Sequence, residues 1–112
     1  MGARSRLAAV YAAMAVAGAI LPFVFLLPWL HGGDASVAGF FASPFVNGPA
    51  SVFSADVLWS AAVFMVFAVA EGRRVGVRPL WLAPLMVFVA GLCCALPLFL
   101  YLRERALIRA AT

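Results

Sequence analysis

Between Ser51 and Arg74 the chain runs S-V-F-S-A-D-V-L-W-S-A-A-V-F-M-V-F-A-V-A-E-G-R-R, an apolar stretch whose acids are Asp56 near its start and Glu71 at its end. Roughly 20 apolar residues in an α-helix cross the hydrocarbon core of a bilayer. A helix suits that environment because it satisfies its own backbone hydrogen bonds. Two more apolar stretches flank this one. The 112-residue chain is 67% hydrophobic and 11% charged, whereas a soluble domain carries roughly a quarter charged residues. So few polar groups cannot cover a water-facing surface. The sequence therefore reads as a single integral membrane domain over residues 1–112, all-α, with transmembrane helices at about 7–30, 50–71 and 80–102.

The first apolar stretch follows a short basic start holding Arg4 and Arg6. Together with Ala15-Val16-Ala17 that start imitates a signal peptide, but the apolar run continues through Leu30, well past an h-region of roughly 7–15 residues. The helix is read as retained. Small residues recur along it at four-residue spacing, as in Ala9/Ala13/Ala17 and Ala15/Ala19, which lets two helix backbones approach closely. Pro22 and Pro28 are expected to kink or end it. His31-Gly32-Gly33-Asp34 reads as a turn. A shorter apolar segment over 36–46 follows, with Ser36 as a candidate N-cap and Pro44 as a breaker. It is too short to span and is expected to lie in the membrane interface or dip in as a re-entrant loop. Pro49 is placed for the first turn of the second helix. The third helix follows the basic loop Gly72–Arg78, with Pro97 expected to bend it.

Three spans put the termini on opposite sides. With the N-terminus inside, Arg4, Arg6, Arg73, Arg74 and Arg78 face the cytoplasm and Arg103, Arg105 and Arg109 face out. The positive-inside rule favours that orientation over its reverse. The expected location is the cell's inner (plasma) membrane, multi-pass, with the N-terminus cytoplasmic and the C-terminus outside. The formal charge of +4 does not point to nucleic acid, because every arginine borders an apolar segment, where it anchors helix ends at lipid headgroups.

Asp56 and Glu71 are 15 residues apart, which is about 22 Å along a helix. They cannot act as a carboxylate pair. Glu71 is expected to pair with Arg73, Arg74 or Arg78, and Asp56 with Arg103 or with backbone donors. An ionisable side chain inside a span is also a functional candidate, so Asp56 is the candidate catalytic residue, with Ser60 and Asn47 as its nearest polar companions. Cys93 and Cys94 are adjacent on one helix, cannot form an ordinary disulfide there, and read as packing residues. No metal-ligand spacing, phosphate loop, nucleophile elbow or redox motif is present, and no cofactor is expected.

The succession F-F-A-S-P (40–44), Asn47, Asp56, E-G-R-R (71–74), Trp81 and A-L-P-L-F-L-Y-L-R-E-R (95–105) resembles the DUF2834 family of small bacterial membrane proteins without an assigned function. The resemblance implies a multi-helix membrane protein and supplies no catalytic residues. It does make Asn47, Asp56, Glu71, Arg73, Arg103 and Glu104 the positions to watch, with Arg74 as a further ion-pair candidate. Three functional classes follow. The first is an accessory or structural subunit that packs against another membrane protein or against itself. The second is an enzyme or binder acting on an isoprenoid or other lipid, like the small carotenoid-cyclase subunits, although their proline-plus-paired-glutamate motif is missing. The third is a small transporter subunit. The sequence leans away from an enzyme.

Overall fold

A computed structural model describes residues 2–32 and 36–111 of the chain; the expected turn at Gly33-Asp34 lies outside the described residues. In chain order the elements are α1 (Ala3–Leu30), α2 (Val37–Ala42), a 3₁₀ turn (Ser43–Phe45), α3 (Gly48–Val75), α4 (Leu82–Val89) and α5 (Leu92–Ala111). The described residues form helices joined by turns, with no strand among them, and α1 and α3 are both long and apolar enough to cross a membrane.

Local chemistry sets the helix ends. Asn47 accepts a hydrogen bond from the Ala50 N–H at 2.8 Å, capping α3, and Pro49 sits in the first turn, where a missing N–H is harmless. Ser36 caps α2 in the same way, accepting from the Gly39 N–H at 2.9 Å. Gly76 closes α3 at φ +88°, and both Gly76 and Val77 donate to the Gly72 carbonyl. Only glycine takes that left-handed conformation without strain. Helix α1 continues through Pro22 and Pro28, so neither proline ends it where expected.

The helix expected at 80–102 is two helices. Ala90 and Gly91 both donate to the Met86 carbonyl, and Gly91 at φ +88° reverses the chain. Helices α4 and α5 thus form a hairpin that turns back at Gly91. Helix α5 then continues through the charged residues 103–109 to Ala111, nine residues beyond a helix ending at Leu102. Uniform apolarity over 80–102 does not distinguish one long helix from two short ones, because every face of either is covered.

Helix α5 is the hub. It packs along α1 on one side and against α3 and α4 on the other, while α1 and α3 do not pack on each other. The core lies where α3, α4 and α5 meet, built from Phe64, Ala68, Val77, Ala83, Ala95, Phe99 and Ala106. Phe99 is 1% exposed and meets Phe64 and Phe67 edge-on, with ring centroids 5.8 and 5.5 Å away. The other half of the molecule is open. There α1 and α3 splay, and among the described residues α2 and the 3₁₀ turn lie between them, held by Trp29 against Phe40 (5.9 Å) and by the Ser54 hydroxyl, which donates to the Pro44 carbonyl at 2.8 Å.

The packing face of α1 takes in Ala15, from one of the two stripes that the alanine spacing offers, and leaves the other exposed. Ala8, Ala15 and Gly18 are buried, whereas Ala9, Ala13 and Ala17 are exposed. Gly18 is the point of closest approach: a Cβ there would lie 2.0 Å from the Cys93 carbonyl oxygen. Pro97, four residues on, has no N–H for that carbonyl, so the start of α5 bares backbone against which only glycine fits. The Cys93 thiol donates back to the Gly18 carbonyl at 3.2 Å. Because the clash is with backbone, Gly18→Ala is expected to destabilise the fold by roughly 1–3 kcal/mol. Gly2→Ala, with nothing within 4 Å of the added methyl, should leave it unchanged. Thermal unfolding of the detergent-solubilised variants measures both.

Candidate functional site

Two features stand out: a charged clasp at one end of the molecule and an apolar crevice in its middle. The clasp is built by the start of α1, the end of α3 and the second half of α5. Helix α1 brings Arg4 in its first turn, α3 brings Glu71 and Arg74 in its last turns, and α5 brings Arg103 and Glu104. Arg4 Nη1 donates to Glu104 Oε2 at 3.1 Å. Arg103 Nη1 stands 3.6 Å from Glu104 Oε1, and Arg103 Nε donates to Glu71 Oε1 at 3.2 Å. Arg74 completes the chain, its Nε donating to Glu71 Oε2 at 2.9 Å and its Nη2 to Glu71 Oε1. Positive and negative charges thus alternate from Arg4 through Glu104, Arg103 and Glu71 to Arg74.

The sequence expectations for these residues divide. Glu71 does pair within its own helix end, and with Arg74 in particular. Three residues apart on a helix are neighbours, whereas Arg73, two residues on, points to the opposite side; Arg73 is exposed and forms no ion pair among the described residues. The expected pair between Asp56 and Arg103 is not formed. Arg103 is engaged with Glu71 and Glu104, and Asp56 is exposed on α3, about 22 Å along the helix from Glu71. The expectation failed because one continuous helix over 80–102 would have carried Arg103 to the end where Asp56 lies. The turn at Gly91 returns it to the end where it began. For the same reason Arg4 and Glu104, 100 residues apart and expected at opposite ends, are in contact. Nothing in the sequence marks Arg4 as the partner of Glu104. Asn47 is an N-cap and no companion of Asp56.

Glu104 is the buried charge of the clasp, with 4% of its surface exposed. Its two arginines explain its tolerance there, since buried carboxylates persist where they are paired and hydrogen-bonded. Nearby, Arg105 donates to the Tyr101 hydroxyl at 3.0 Å and lies over the Tyr101 ring at 5.8 Å. All eight arginines fall on α1's first turns, α3's last turns, the loop after them, or α5's second half. Two glutamates answer them there, so this end of the molecule is strongly positive.

The crevice opens where α1 and α3 part. Met14 and Pro22 of α1 and Val57 of α3 form its walls, and Ala90, Gly91 and Leu92 at the hairpin tip form its roof. Its volume is about 630 Å³, within the range of roughly 300–1,000 Å³ usual for ligand pockets. No charged side chain lines it, and Asp56 is not among its lining residues.

The chain was also compared with known proteins. No curated protein and no solved structure is significantly similar to it. The sequence pattern of DUF2834, described as a protein of unknown function, matches residues 10–105. That match takes in α2 to α4 whole, α1 from Val10 and α5 as far as Arg105, including Glu71, Arg103 and Glu104 of the clasp, the hairpin turn and Asp56. The chain therefore belongs to the DUF2834 family.

Proposed function

We propose that this protein is a small subunit of the bacterial inner membrane that assembles with another membrane protein or with itself. The observation that carries this reading is the exposure of its two long helices. In each, only 11% of the most apolar window is buried, whereas the core helix of a soluble protein would be mostly covered. Phe25, Phe53, Trp59 and Val66 are each more than 70% exposed, so lipid or protein must cover them.

In this reading α1 and α3 make two crossings and the α4–α5 hairpin enters from one side and leaves by the same side. Both termini and all eight arginines then lie together, on the cytoplasmic side by the positive-inside rule, and meet anionic headgroups there. This replaces three crossings with the termini apart. The ionisable side chains brought together by the fold are spent on holding helices to one another, which supports a role in assembly over one in catalysis.

The test is purification of the tagged chain from its native membrane in a gentle detergent, followed by native mass spectrometry. A stoichiometric protein, or a defined oligomer of the chain itself, is expected. A bare monomer would sink the reading. The crevice favours a second reading, in which an acyl or isoprenoid chain lodges between α1 and α3. A lipid retained in place of any protein would bring that reading forward.

A further inference from the structure

Asp56 is a carboxylate on the outside of an apolar helix. It stands eight residues into α3, which begins at Gly48, and about 22 Å along the helix from the clasp. When the clasp sits at one membrane surface, Asp56 lies roughly 8 Å inside the other edge of a hydrocarbon core about 30 Å thick. Its side chain is too short to reach far along the helix. An acid at such a depth is costly unless something covers or pairs with it, and no described residue of this chain does so.

Its surroundings form a continuous surface. Asp56, Ser60, Val63 and Phe67 follow one another at three- and four-residue spacing, which places them in one stripe, and all four are exposed. The stripe lies to one side of the Phe64–Ala68–Gly72 face that packs inside the molecule. It therefore offers an acid, a hydroxyl and Val63 to a neighbouring helix, together with the exposed side of Phe67, whose other side packs on Phe99.

The charge distribution says which neighbour fits. A second copy in the same orientation would bring another Asp56 to this level and no arginine, because every arginine stands at the clasp end. His31, at the end of α1, is 13 residues past Gly18, and so about 20 Å beyond the level of Asp56. An inverted copy would carry all eight arginines to the wrong side of the membrane. We infer that the Asp56–Ser60–Val63–Phe67 stripe docks a transmembrane helix of a different protein that presents a basic side chain to Asp56. This rests on the assembly reading above and narrows it from any partner to a cationic one.

The test places photoreactive p-benzoylphenylalanine at Ser60 in the full-length chain, crosslinks in native membranes, and maps the adduct by peptide mass spectrometry. The expected adduct is on a helix of another protein, within a turn of an Arg or Lys. Its yield should fall at least tenfold in Asp56→Asn and persist in Asp56→Glu. Asp56→Asn should melt at the same temperature as the parent, because Asp56 has no partner among the described residues of its own chain. Exchanging the charges, with Asp56→Arg opposite an Asp in place of the mapped cation, should restore the adduct. An adduct to a second copy, to a helix without a cation, or one indifferent to Asp56→Asn overturns the inference and leaves the assembly reading standing. No protein adduct, together with a bare monomer in native mass spectrometry, ends both.

Discussion

Replacing Arg103 by methionine is expected to lower the stability of the protein, because it leaves the buried Glu104 carboxylate with the half-exposed Arg4 as its remaining cation. Arg103 is the middle member of the clasp. Its loss leaves Glu71 and Glu104, whose side chains are 15% and 5% exposed, without the cation between them. The remaining partners, Arg74 and Arg4, are 67% and 50% exposed; exposed pairs contribute roughly 1 kcal/mol or less and cannot compensate. Adding Glu71→Gln to Arg103→Met should recover part of the loss, since it removes one of the stranded carboxylates. Asp56→Asn combined with Arg103→Met should be additive to within about 0.5 kcal/mol, as for residues far apart. Denaturant titration in detergent micelles, followed by tryptophan fluorescence, measures the whole cycle. A coupling between Asp56 and Arg103 as large as that between Glu71 and Arg103 would contradict the clasp.

The second large effect is expected at Phe99. It is the largest side chain that is fully buried, and its ring ties α5 to Phe64 and Phe67 of α3. Phe99→Ala removes both edge-on contacts and leaves a cavity between three helices, at a cost of roughly 3–5 kcal/mol. Phe99→Leu keeps most of the volume and should lose mainly the aromatic contacts, about 0.5–1.5 kcal/mol each. Phe53→Ala, on an exposed position of the same helix α3, should be near neutral. The ordering of the three melting temperatures checks the location of the core, which the structure places where α3, α4 and α5 meet.

Some of this was legible in the residues. Length and apolarity mark α1 and α3, because a run of that kind has few other ways to fold. The caps at Ser36 and the proline in the first turn of α3 follow from the side-chain chemistry of single residues. Glu71 was readable as a local pair because its partner is one helical turn away. The hairpin was not readable. Between Leu80 and Leu102 the chain is apolar on every face, and Gly91 is one of nine glycines with nothing beside it to mark a reversal. Missing that turn moved Arg103 and Glu104 to the wrong end, and with them the partners of Glu71, Arg4 and Asp56. The choice between the two alanine stripes of α1 was not readable for a related reason. In an alanine-rich helix several small-residue stripes coexist, and the backbone bared by Pro97 selects the one that contains Gly18.

The chain turns back at Gly91, so that its two ends lie side by side. Reporter fusions at each terminus test it most directly, using a fluorescent protein that matures only in the cytoplasm and an alkaline phosphatase that is active only outside it. The fold predicts the same reporter active at both ends, and the orientation proposed above from the positive-inside rule makes it the fluorescent one. Fluorescence at the N-terminus with phosphatase activity at the C-terminus would mean that residues 80–102 cross as one helix, and would contradict it.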